Sequence, residues 1–164
     1  MADDDGPFAL QAGRLISLRA FDAAGLNALA PGLARLATGR QMTSLWQGHR
    51  LLWLRLGPDE WWCWWAKGSA AQGIELMQAL TQALAGVAHA CVDLSDGQQS
   101  MKLPAPAWPL LSMGCDLDLE RLPPDMATRS RLAAFTVVLA AGADGGVLAA
   151  AADGGVQLWV EASL

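Results

Sequence analysis

The sequence contains no run of basic residues. Lys and Arg total 11 against 16 Asp and Glu in 164 residues, a formal charge of −5 with a pI near 4.8. A nucleic-acid surface needs clustered positive charge, so that class of partner is excluded. A long apolar run is missing as well. The longest, residues 132–143, is interrupted by Thr136 and Gly142, ends at Asp144, and falls short of the roughly 18–20 residues that span a bilayer. Met1-Ala2-Asp3-Asp4-Asp5 is acidic where a signal peptide is basic. Cysteine is scarce: Cys63, Cys91 and Cys115 are odd in number and form no Cys-x-x-Cys pair, so neither a disulfide framework nor a zinc knuckle is indicated. A cytoplasmic protein with reduced thiols is the simplest reading.

What is present is an apolar chain, 53% hydrophobic and 16% charged, which argues for a folded core and against disorder. The same numbers fit a subunit with more apolar surface than a monomer needs, or an Ala-rich composition that inflates the count. Residues 1–8 read as a disordered tail and 9–164 as a single α+β domain. A short strand is expected at 14–20. Leu26, Leu29, Leu33 and Leu36 recur at helical spacing and predict a helix over 23–37, with Pro31 placed to kink it. One strand–turn–strand unit is expected over 44–66, turning at Gly57-Pro58-Asp59-Glu60. Ile74, Met77, Leu80 or Thr81, and Leu84 define one face of a helix over 71–85 that Gly86 stops. Strands are expected at 89–95 and 98–103, joined as a hairpin by Asp96-Gly97. A short helix after Pro104 and Pro106 carries Trp108, Leu110 and Leu111. A loop over 115–124, a long strand over 128–141, glycine turns at 142–146 and 153–155, and a strand over 156–162 complete the order. Strands interleaved with helices in this way mean an α+β fold of antiparallel or mixed sheets with β-α-β units and packed helices, not a doubly wound parallel sheet.

The residues that carry chemistry form no convincing enzyme constellation. His89 and Cys91 sit two apart on one strand and share a face, with no third group to orient them. Asp93, Asp96, Asp116 and Asp118 lack the ligand spacing and closing Glu of a Ca²⁺ loop; the turn explains Asp96, and solvent or a helix cap explains Asp118. The glycines at 142, 145, 146, 154 and 155 are followed by no Gly-Lys-Ser/Thr and match no Gly-x-Gly-x-x-Gly. No serine lies in a Gly-x-Ser-x-Gly elbow. No catalytic residue and no metal site are therefore assigned.

Residues 50–65 are the least generic stretch, holding five of the eight tryptophans: Trp53, Trp61, Trp62, Trp64 and Trp65. Such density marks a packed hairpin or a partner surface. Asp59 and Glu60 at its turn, beside Trp61, are the candidate ligand-contacting residues. Two carboxylates next to an aromatic wall suit a flat nitrogen heterocycle. Turn chemistry explains them too, with Pro58 presetting φ and Asp59 supplying a side-chain acceptor.

Leu54-Arg55-Leu56-Gly57-Pro58-Asp59-Glu60-Trp61-Trp62 resembles the W-L-G-P-D-E-W-L signature of the gamma subunit of heterotetrameric sarcosine oxidase. Later segments follow in the family's order. Ala90-Cys91-Val92-Asp93-Leu94-Ser95 resembles its Asp-x-Ser strand, and residues 111–119 its Gly-Cys segment ending in Asp-Leu. Thr128 with Leu132-Ala133, and Trp159-Val160-Glu161-Ala162-Ser163, resemble its last two motifs. The likeness covers roughly residues 45–164. It departs at Leu103-Pro104-Ala105-Pro106, where the family has a Ser-Gly-Pro turn, and at the end, where the family continues into a final helix. A truncated C-terminus or a partner that supplies the missing cover are the two readings of that second departure.

The resemblance implies a fold like that of the folate-dependent aminomethyltransferases, the glycine-cleavage T-proteins. It implies a non-catalytic gamma subunit that supports oxidative demethylation of sarcosine to glycine, with one-carbon transfer to tetrahydrofolate. Partners would be the alpha, beta and delta subunits. No cofactor would be bound by this chain itself; flavin, NAD and tetrahydrofolate would sit in the partner subunits. The alternative is a stand-alone folate-binding, aminomethyltransferase-like protein that uses Asp59 or Glu60 on the pterin and the tryptophans as stacking walls.

Overall fold

The computed structural model describes residues 10–103, 112–118, 121–141 and 156–161. Among these residues the chain runs through β1 (Leu10–Gln11), β2 (Gly13–Ala20), two 3-10 turns (Ala24–Ala28 and Leu33–Arg35), β3 (Arg40–Trp46), β4 (His49–Arg55) and β5 (Glu60–Ala66). It continues through α1 (Ala70–Ala83), β6 (His89–Asp93), β7 (Gln98–Leu103), β8 (Ala127–Leu132), β9 (Phe135–Ala141) and β10 (Val156–Glu161). The strands make two five-stranded sheets, ordered β3-β4-β5-β2-β6 and β1-β7-β10-β9-β8. Every neighbouring pair in both sheets is antiparallel. The fold is thus sheet-rich with little helix. One β-α-β unit is present in split form: β5 and β6 both run antiparallel to β2, which lies between them, and α1 is the crossover.

Three apolar layers stack in order. The first lies between sheet one and its helical cover, where Leu18, Trp53, Trp61 and Trp65 meet Leu76 and Leu80 of α1. The second fills the space between the sheets with Leu15, Leu54, Trp62, Trp64, Val138 and Trp159. The third backs sheet two, where Val137, Leu139 and Leu158 are covered by Cys115, Leu117 and Leu122. This stacking accounts for the run Trp61-Trp62-Cys63-Trp64-Trp65. Both faces of β5 are buried, so the strand has no reason to alternate apolar with polar. Trp61, Cys63 and Trp65 point to the helix side, and Trp62 and Trp64 to the second sheet.

Several sequence expectations are corrected. The helix predicted over 23–37 is two 3-10 turns: Pro31 interrupts the backbone ladder and Gly32 takes φ +86°, so only the burial of Leu26 and Leu33 survives from the helical pattern. The unit expected over 44–66 holds three strands, because Gln47 (φ +50°) and Gly48 (φ +80°) make a second tight turn between β3 and β4. The long strand over 128–141 folds back at Ala133 (φ +52°) into β8 and β9. Asp96-Gly97 does form a turn, with the Gly97 N–H donating to Leu94 O at 3.0 Å. It joins no hairpin, since β6 belongs to sheet one and β7 to sheet two. The helix of 71–85 is found as α1, with Leu80 and Leu84 buried and Met77 packed on the same layer as expected, but Gly73 and Leu76 join that face and Ile74 is exposed. The short helix expected after Pro104 and the glycine turns at 142–146 and 153–155 fall outside the described residues.

Candidate functional site: the Gly-Pro-Asp-Glu corner

The β4–β5 turn is tied by its own backbone: the N–H groups of Leu56 and Gly57 donate to Glu60 O at 3.0 and 3.3 Å. Arg55 braces it from behind. Its guanidinium donates to Leu36 O (2.7 Å) and Pro58 O (2.8 Å) and lies 4.6 Å from the centre of the Trp61 ring, a cation–π distance. Ala20 N–H donates to Asp59 O at 2.9 Å, fastening the turn to the end of β2.

The two turn carboxylates face arginines. Asp59 takes Arg19 Nη1 at 3.2 Å. The Glu60 side chain, only 6% exposed, accepts from Arg129 Nη1 at 2.6 Å and from Arg129 Nη2 in a bidentate pair, and Arg19 Nη2 lies 3.3 Å away. The hydrogen bonds from Arg129 hold the Glu60 carboxyl below its usual range despite its burial, and the same pair raises Arg129. Arg129 also lies 5.7 Å from the Trp62 ring centre. Because Glu60 stands on β5 and Arg129 on β8, the pair is a charged clip between the two sheets. Trp61, the third candidate, is fully buried in the layer beneath α1. A ligand reaching Glu60 has to displace Arg129 or Arg19. Chemically the corner can hold an ionised carboxylate in place, and its oxygens are already engaged.

The other chemistry-bearing residues are separate. His89 Nδ1 donates to Val87 O at 2.8 Å. Burial and the nearby Asp93 push the Cys91 thiol up to about 11, and burial raises Cys63 well above its ordinary value, so neither is a thiolate at neutral pH. Asp93 and Asp96 face Arg14 at 3.5 and 3.9 Å, and Asp118 faces Arg121 at 3.2 Å. Among the described residues no three His, Cys, Asp or Glu side chains are grouped to hold a metal. No helix there is long and apolar enough to cross a membrane.

Sequence reasoning missed two features. The first is the set of arginine partners, Arg19, Arg55 and Arg129. Arg129 is 69 residues from Glu60, and nothing local marks it. The second is a recess of about 350 Å³ at the far end of β5, lined by Gln11, His49, Arg50, Trp64, Trp65 and Gln157. There the His49 ring lies 4.9 Å from that of Trp65.

The fold is shared with solved proteins. A chain of the heterotetrameric sarcosine oxidase from Corynebacterium sp. U-96, solved in complex with pyrrole 2-carboxylate, aligns with a TM-score of 0.64 at 23% identity, covering 93% of this chain and 73% of that one. The glycine cleavage system aminomethyltransferase T from Bartonella henselae aligns with a TM-score of 0.61 at 13% identity, and the alignment covers 91% of this chain and 40% of that one. This chain therefore spans less than half the length of the aminomethyltransferase. No family model and no curated protein sequence matches. At these identities the likeness is one of fold.

Proposed function

We propose that this chain is the non-catalytic gamma subunit of a cytoplasmic heterotetrameric sarcosine oxidase, assembled with alpha, beta and delta subunits that carry the flavins, NAD and the folate site. The observation that carries this reading is the fold likeness to a chain of such an enzyme, which extends over 93% of this chain and 73% of the other. The ordered motifs from Gly57-Pro58-Asp59-Glu60 to Trp159 run in the same direction. The corner supports a scaffold role as well, because Glu60 joins two sheets through Arg129 and its oxygens are occupied. In this role the chain contributes folded surface, and the oxidation and one-carbon transfer take place on partner residues.

The test is co-expression with the alpha, beta and delta candidates from the same genome, followed by purification through a tag on this chain. A yellow complex that oxidises sarcosine is expected. Recovery of the tagged chain alone, colourless, with its tryptophan emission quenched by tetrahydrofolate, would instead favour a stand-alone folate protein.

A further inference from the structure

Among the described residues β6 is an edge of sheet one with no pairing anywhere along its outer side. The other long edges are each held at one end by a bridge. β3 is bridged at Arg40 to Met126, and Gln41 N–H donates to Asp125 O at 2.8 Å. β8 is bridged at Leu132 to Cys115, and Ala133 N–H donates to Gly114 O at 2.7 Å. β1 is only two residues long. β6 has five residues, His89-Ala90-Cys91-Val92-Asp93, and on its outer side no strand or bridge pairs with it among the described residues. It also lacks the Lys, Pro or bulge that commonly blunts an exposed edge.

The register fixes which groups face outward. Leu94 N–H donates to Leu15 O at 2.8 Å, so in the antiparallel pairing with β2 the backbone groups of Val92 and Ala90 turn inward too. Those of His89, Cys91 and Asp93 point to the open edge. Their side chains share one face, the face on which Cys91 packs against the layer under α1.

We propose that β6 pairs antiparallel with β6 of a second copy of this chain, about a two-fold axis at Cys91. Centred there, Cys91 opposes Cys91 and His89 opposes Asp93, each pair exchanging both backbone bonds. The side chains complement one another. His89 Nδ1–H donates to Val87 O, so in the doubly protonated ring Nε2–H is the donor free to meet the facing carboxylate. Asp93 Oδ1 accepts from the Ser95 N–H and hydroxyl, while Oδ2 has only Arg14 at 3.5 Å and room for a second donor. A shifted register loses both His–Asp pairs. The axis stands perpendicular to the sheet, so both α1 helices lie on the same face. Each covers β2 and β6, which sets them about two strand spacings apart, roughly 10 Å, a helix-packing distance. Ile74, the large apolar side chain that α1 leaves exposed, is available for that contact. The inference concerns the chain free of other subunits and does not rest on the proposed sarcosine oxidase role.

The purified full-length chain is examined by light scattering across a concentration series, and by copper–phenanthroline oxidation. A concentration-dependent dimer is expected. His89→Asp, which sets like charges opposite each other, weakens it about tenfold, whereas His89→Lys retains it. The Cα atoms of the two Cys91 residues lie about 5.5 Å apart in this pairing, within disulfide reach, so oxidation gives a covalent dimer that Cys91→Ser abolishes with Cys63 and Cys115 intact. A chain that stays monomeric up to about 500 µM overturns the proposal. So does a dimer that His89→Asp leaves unchanged and that yields no Cys91 cross-link. The wild-type cross-link decides the matter even where a variant misfolds.

Discussion

Glu60 shows how one side chain changes meaning between sequence and structure. In the sequence it is one of two turn carboxylates beside an indole, better explained by the turn than by a ligand. In the fold it bonds Arg129 across the sheets, a partner 69 residues away that no local pattern points to. The pair fixes a pH dependence. The carboxyl titrates below its ordinary value near 4.5 because Arg129 hydrogen-bonds the charged form. Its contribution to stability is therefore full above that value and is lost as pH falls through the folded one. Glu60→Gln should lower stability by about 1–2 kcal/mol at pH 7, since Arg129 retains access to water. The difference from wild type should shrink as pH falls below about 4.5. Urea midpoints at several pH values test this, and a gap that stays constant with pH would show that Glu60 is not the titrating group. Gly25 is a second residue whose role is invisible in one dimension. A Cβ built there falls 1.9 Å from Ala83 O in the last turn of α1, so the first 3-10 turn packs directly on helix backbone. Gly25→Ala should cost about 1–3 kcal/mol by forcing these elements apart. An unchanged melting temperature would contradict that contact.

Among the elements, those set by local chemistry were the legible ones. α1 is bounded by a capping box: Ser69 Oγ accepts from Gln72 N–H at 3.3 Å, and Gln72 Oε1 accepts from Ser69 N–H at 2.9 Å. Ser69→Ala should remove about 1 kcal/mol, read as a lower urea midpoint with the m-value unchanged. The buried face of α1 keeps Leu80 and Leu84 of the expected stripe and adds Leu76 and Gly73. Gly73 lies against the Arg14 side chain, and Ile74 is left exposed. Two turns were missed, one at Gln47-Gly48 although it carries a glycine, and one that has none of the usual signals. Ala133 adopts positive φ with no Gly, Asn or Asp beside it, because tertiary pairing of β8 with β9 overrides its preference. The leucine spacing of 23–37 reports a buried face truthfully, yet 3-10 turns at Leu26 and Leu33 bury that face as well as a helix does.

At the scale of the molecule, the sequence alone does not show which strands share a sheet. Leu94 to Gly97 is the same turn whether it returns the chain beside itself or passes it to another layer, and only the layer between the sheets decides. That layer centres on Trp159, which meets Trp62 and Trp64 edge-to-face at centroid distances of 6.5 and 5.9 Å. It is the one place where β10 and β5 touch through large rings, so the stacking of the two sheets depends on it more than on any charged pair. Trp159→Ala removes a fully buried indole and should cost about 3–5 kcal/mol, more than either Glu60→Gln or Ser69→Ala. If sheet stacking is what the residue holds, the near-UV circular dichroism of the tryptophans should collapse while the far-UV strand signal persists. Parallel loss of both signals would show instead that neither sheet is stable without the other, and that the two-sheet core folds as one cooperative unit.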